Sequence, residues 1–245
     1  MLRRALLTAI ALSAALVLAG CSSAEGQRAQ ELLLAADAAQ ARLTSSSFEG
    51  GLSFALSGQR IELRFEGAGS RTQGYMSVRS SGLPGANFDL QVVVRGEQIW
   101  MKLDGRWEKL PATAGPDLGS AALGPAAFAE LARHVKAVRV TEGQLVEGRP
   151  VSVVAGEVDT AGLIGAMAKL GAGLGNLDPS GFDLKELGSG LGDIEAVLTI
   201  DARTHLLDSA LVTLSIDAAG EPVEITLNYR LTSANEPVRM PSVGS

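Results

Sequence analysis

The chain has 245 residues with a formal net charge of −6, 46% hydrophobic and 4% aromatic side chains, and a single cysteine. A negative body is poorly matched to nucleic acid or anionic lipid headgroups, few aromatic faces disfavour sugar and nucleobase sites, and one cysteine leaves no disulfide to make. The length suffices for one domain with a full core or two small ones.

Arg3 and Arg4 are followed by an uncharged run, Ala5 to Ala19, broken only by Thr8 and Ser13. A charged start, an apolar middle and a small-residue exit describe a secretory signal. The run falls short of the roughly 20 residues needed to cross a bilayer. Its ending, Leu18-Ala19-Gly20-Cys21, resembles the lipobox of bacterial lipoproteins, in which the cysteine sulfur takes a diacylglycerol and the chain is cut just before it. That resemblance implies that residues 1–20 are a signal peptide, Cys21 the acylated first residue and 21–27 a tether. The competing reading is a soluble secreted protein with a chance cysteine near its cleavage site. Residues 1–20 hold two of the 21 basic residues and none of the 27 acidic ones, so the rest of the chain carries −8. Membrane attachment then rests on acyl chains, of which two or more hold stably and one only marginally.

Residues 28–44 are rich in Ala, Leu, Gln and Glu, good helix formers, and Leu32, Ala36, Ala39 and Leu43 make one apolar stripe. From Phe48 the period falls to 2. Leu52 and Phe54 alternate with Ser53 and Ala55, and Ile61, Leu63 and Phe65 with Glu62, Arg64 and Glu66, which predicts a hairpin with one apolar and one polar face. A weaker strand at Tyr75–Val78 follows. Leu90 and Val92, then Ile99 and Met101, continue the alternation to the Asp104-Gly105 turn. After a Pro/Gly/Ala loop, Pro125 and the spacing of Phe128, Leu131, Val135 and Val138 predict a second helix. Strands resume from Val138 to Val146 and return through Val151 to Val158.

In Thr160–Gly192, Leu163, Met167, Leu170, Leu174 and Leu177 make a helical stripe, yet its glycines each cost about 1 kcal/mol relative to Ala. A low-stability lid is the expectation. Three strands follow, and Pro237 and Pro241 are expected to end the ordered part. The sum is α+β: a large curved antiparallel sheet of about ten to twelve strands with two or three helices on its apolar face, in a single domain at 28–236 with a tail at 237–245.

Catalytic patterns are missing from the sequence. His134 and His205 sit in no metal-ligand spacing, there is no G-x-S-x-G elbow or S-x-x-K pair, and the glycines of 171–192 do not spell a dinucleotide cradle. Glu62 and Glu66 read as a solvated strand face, and Trp100 and Trp107 as residues that fill a sheet face in preference to stacking a ligand. No enzyme, cofactor or metal is expected.

The stretch Gln98-Ile-Trp-Met-Lys-Leu-Asp-Gly-Arg-Trp-Glu-Lys-Leu110, then Glu142-Gly-Gln-Leu-Val-Glu-Gly-Arg149, and Ala196-Val-Leu-Thr-Ile-Asp-Ala-Arg-Thr204, together with the lipobox, resemble the LppX/LprA/LprF/LprG lipoproteins of actinobacteria and, beyond them, the LolA/LolB carrier fold. The resemblance implies a half-barrel sheet closed by helices that holds acyl chains of lipids or lipoproteins, for carriage or presentation at the outer face of the cytoplasmic membrane. Leu52, Phe54, Leu63, Phe65, Leu90, Val92, Met101, Phe128, Leu131, Leu163, Met167 and Leu170 are the expected cavity lining. The expected partners are a lipid or acylated ligand and the membrane, with no nucleic acid and with envelope proteins unspecified. The alternative is a structural or signalling lipoprotein whose sheet face is packed solid and which works through protein contacts.

Overall fold

The computed structural model describes residues 24–56, 59–70, 72–81, 87–103, 105–110, 132–159, 191–218 and 221–243. Cys21, Phe128, Leu131, Leu163, Met167 and Leu170 lie outside them, as does the predicted lid.

Helix α1 spans residues 24–40. It is followed by β1 (Ser45–Leu56), β2 (Gln59–Ser70), β3 (Gln73–Ser81), β4 (Asp89–Arg95), β5 (Gln98–Leu103) and β6 (Arg106–Leu110). Then come β7 (Val135–Val146), β8 (Arg149–Val158), β9 (Leu191–Asp201), β10 (Leu207–Ala218) and β11 (Glu221–Ala234). The eleven strands form one antiparallel sheet in the order β6-β5-β4-β3-β2-β1-β11-β10-β9-β8-β7. It is two meanders joined at their first and last strands, Ser46 opposite Ala234 and Phe54 opposite Ile225. The sheet is curved and unclosed, and β6 and β7, at the two ends of this order, are consecutive among the described strands. The β7–β8 and β9–β10 turns lie at the end of the sheet where β1 begins, the proximal end, and the β5–β6 turn at the opposite, distal end.

α1 is the one helix described in full, and it sits four residues earlier than its apolar spacing predicts. Residues 24–27, expected as tether, are its first turn. Leu43 drops out of the stripe, which runs through Ala29, Leu32, Leu33, Ala36 and Ala39. After residue 40 the amides of Arg42 and Leu43 bond to Ala39 and Gln40, a tighter i−3 pattern, and Arg42 Nε donates to the Ala38 carbonyl at 3.1 Å, so the exposed carbonyls of the last turn are satisfied. The second predicted helix ends earlier than expected: residues 132–133 are helical, but Val135 already begins β7 opposite Val158. A bulge between Ala137 and Arg139 breaks the period of two, which is why Val135 and Val138 imitate helical spacing. Their β-branched side chains suit the strand.

Register brings most apolar strand residues to one face, with Val93, Val197 and Leu211 on the other. One row across the sheet reads Val78, Phe65, Gly50, Tyr229, Ala210, Leu198, Val154 and Val140. α1 packs on this inward face: its Ala29, Leu32, Leu33 and Ala36 join Phe48, Phe65, Val154, Leu198, Ile200, Leu207 and Tyr229 in one buried cluster. Phe48 lies opposite Gly67, and Phe65 opposite Gly50. Each ring covers its partner glycine so closely that a Cβ at Gly67 would fall 2.5 Å from the Phe48 ring. Phe48 also stacks on Tyr229, ring centroids 6.2 Å apart.

The tail is ordered further than its prolines suggest. Asn235 Oδ1 accepts from the Thr44 amide and hydroxyl at 2.9 and 3.0 Å, Ser45 Oγ donates to the Glu236 carbonyl, and Arg95 donates to the Pro241 carbonyl at 2.9 Å. Side-chain and carbonyl partners do here what a ladder would do elsewhere, so prolines without amide hydrogens are tolerated.

Candidate functional site

The inward face has a second region, continuous with the buried cluster, where apolar side chains are only partly covered. Leu52 pairs with Leu63 and Leu227, and Phe54 with Ile61 and Ile225. Val78 pairs with Leu90, Met76 with Val92, and Val92 with Met101. Of the expected lining residues, the structure thus brings Leu52, Phe54, Leu63, Phe65, Leu90, Val92 and Met101 onto one face of β1, β2, β4 and β5. Phe65 is buried at 6% exposure and belongs to the closed cluster. The other six are half-buried, and Leu103, on the same face beside Leu90, is 47% exposed. No described helix residue belongs to this region. An apolar surface of this extent, continuous with a core, marks a ligand or partner site more often than a plain exterior.

Two polar groups border the closed part of the face, and sequence reasoning singled out neither. Tyr229 is 2% exposed. Burial pushes its phenol pKa up, and the Asp208 carboxylate adds to the shift, so it stays neutral as hydrogen-bonding phenol. Gln40, the last residue of α1, is 7% exposed, and neither its amide oxygen nor its nitrogen has a hydrogen-bond partner among the described residues. A buried amide left so costs about 1–3 kcal/mol. A polar residue in an apolar helical stripe was the available signal.

The opposite, outer face carries a trough of about 890 Å³ across β9, β10, β11, β1, β2 and β3. Its charged lining includes Arg64, Glu66, Arg79 and Arg230, with half-exposed Val197 and Leu211 among them. The arginines are engaged: Arg64 with Glu62 at 3.6 Å, Arg79 with Glu66 at 3.4 Å, and Arg230 with Glu147 at 2.6 Å. An acyl chain laid there would strip water from these groups, a cost absent on the inward face. Glu62 and Glu66 are the solvated pair that the alternation suggests. Trp100 and Trp107 sit beside cross-strand lysines, with Lys109 and Lys102 at 5.8 and 5.9 Å from the ring centres.

At the proximal end Arg149 reaches Asp208 at 2.8 Å and Asp201 at 3.9 Å, and the Asp208 hydrogen bond and charge raise the guanidinium pKa. Asp201 resists burial differently. Desolvation works against its charge, but the Thr204 amide and hydroxyl and the Arg203 amide, at 2.7 to 3.0 Å, outweigh it and hold the carboxyl below the usual carboxylate range. These are turn-building interactions, and His205 in the same turn takes a left-handed backbone, φ 58°. Among the described residues no three His, Cys, Asp or Glu side chains gather as a metal site, and no helix is long and apolar enough to cross a membrane.

No protein-family model and no curated sequence matches the chain. Among solved structures it is similar to LprF from Mycobacterium bovis, with 15% identity and a TM-score of 0.52 over 90% of this chain and 99% of that one. It is also similar to the lipoprotein LppX from Mycobacterium tuberculosis, with 16% identity and a TM-score of 0.42 over 86% and 98%. A LolA superfamily protein from Nitrosomonas europaea aligns at 9% identity and a TM-score of 0.30 over 82% and 90%. The likeness to LprF spans nearly both chains, and it shows that this chain has the LprF fold.

Proposed function

We propose that the chain is a membrane-anchored lipoprotein, acylated at Cys21, that binds acyl chains of lipids or lipoproteins against the inward face of its sheet and carries or presents them at the outer face of the cytoplasmic membrane. The observation that carries this reading is the half-covered apolar region of Leu52, Phe54, Leu63, Leu90, Val92 and Met101, in register with one another and continuous with a closed core. The shared fold with LprF and the lipobox ending support it. Each Å² of that surface taken from water by an acyl chain returns about 25 cal/mol before association costs, so no catalytic group is required.

Native mass spectrometry of residues 22–245 purified from cells, with organic extraction of what accompanies the protein, tests the reading. A diacyl species at near one per chain is the expected result. A mass that stays bare after incubation with lipid vesicles would mean that the face is filled by the chain itself, and would return the protein to the protein-contact class.

A further inference from the structure

We propose that the tip of the β7–β8 hairpin is a second membrane contact, in which Leu145 and Val146 enter the lipid interface beside the N-terminal anchor. All residues from 141 to 150 are exposed. Leu145, at 72%, is the most exposed large apolar side chain among the described residues, and its neighbour Val146 is 36% exposed. Apolar residues at a loop tip are costly in water unless something else covers them.

The hairpin is braced, so these side chains are presented and not merely loose. Its turn takes left-handed φ angles at Glu147 and Gly148, 52° and 77°, as a two-residue hairpin turn requires. Glu147 holds Arg230 of β11 at 2.6 Å, Arg149 holds Asp208 of β10 at 2.8 Å, and Arg28 of α1 holds Glu142 at 2.7 Å. Around the tip the cations Arg28, Arg149 and Arg230 are thus matched by Glu142, Glu147 and Asp208. Arg28 also meets Glu31 at 3.3 Å and Arg149 also meets Asp201 at 3.9 Å, so these engaged cations do not draw the tip to an anionic surface, which leaves apolar insertion as the driving term.

The start of α1 commits the occupant to a bilayer. Glu25 lies at 3.5 Å from the Val140 amide, on the strand that leads to the tip. From Val140 to Leu145 the strand covers at most about 17 Å, and from Ala24 back to Cys21 the chain covers at most about 10 Å. A surface that receives acyl chains on Cys21 is therefore within reach of the tip. The inference rests on the anchoring reading above.

The test uses the full chain, acylated in cells. Cys21 is the only cysteine, so acylation leaves an introduced one as the sole free thiol. Leu145→Cys and, at the distal β5–β6 turn, Arg106→Cys are labelled with nitrobenzoxadiazole and reconstituted into vesicles of phosphatidylethanolamine and phosphatidylglycerol. Expected is a blue shift of the dye at 145 and its loss of emission to spin-labelled lipid, with neither effect at 106. Vesicles that carry the protein while the dye at 145 keeps its aqueous spectrum would overturn the inference and leave the anchor standing. Protein that fails to float with the vesicles would overturn the anchor, and the inference with it.

Discussion

The two halves of the inward face are written in the same alternating pattern and have different fates. Around Leu198, Ile200, Val154 and Tyr229, residues are 0–2% exposed beneath α1. On β1, β2, β4 and β5, Leu52, Phe54, Leu63, Leu90, Val92 and Met101, of the same chemistry and parity, stay half-buried. Alternation decides which face is apolar. What covers that face is decided elsewhere in the chain, and among the described residues the stripe of α1 covers its closed part. A closed half gives the protein its stability, and the half-open one is the surface that the proposed guest would cover.

Matched truncations test that division directly. Leu198→Ala leaves a cavity in the closed half and should cost about 3–5 kcal/mol in lipid-free protein, read by urea unfolding. Leu63→Ala in the half-open region should cost less than about 1.5 kcal/mol and lower the amount of co-purifying lipid instead. Equal costs at the two sites would erase the distinction. Gly67→Ala should fall between them, about 1–3 kcal/mol, because its methyl meets the Phe48 ring at the border of the closed cluster. The smallest effect is at the proximal turn. Asp201 has a depressed pKa in the folded chain, so its contribution is present above the unfolded value near pH 4 and is lost as pH falls through the folded value. Asp201→Asn should therefore cost about 1 kcal/mol at pH 7, with a gap from the parent that closes on acidification. A gap that widens in acid would show that the carboxylate does not hold the turn.

Much of this was legible in the residues. The alternation of Leu52 and Phe54 with their neighbours, and of Ile61, Leu63 and Phe65, placed these side chains on a common face, and Asp104-Gly105 marked its turn, because period and turn chemistry are local. Long-range pairing was not legible. Nothing in Phe48–Phe54 announces β11 as its neighbour, and Tyr229, which completes the aromatic cluster, looks like any strand residue until Gly50 is placed opposite it. The bulge in β7 disguised Val135 as helical, and the hydrogen bonds of Asn235 and Arg95 kept the tail ordered past its prolines.

The pairing of β1 with β11 has a consequence for the order in which the molecule is made. The centre of the sheet joins residues nearly the whole described chain apart, Ser46 to Ala234, and such non-local closure is slow compared with hairpin formation. A chain that emerges N-terminus first can complete the β1–β6 meander early, but the inner edge of β1 then waits, with its amides and carbonyls unpaired, for the last strand to arrive. Until then that edge is a template for unwanted pairing with another copy. The two meanders can each ripen alone, and the final zipper between them sets when the protein is finished. A chain that loses β11 would keep most of its local structure and none of its closure.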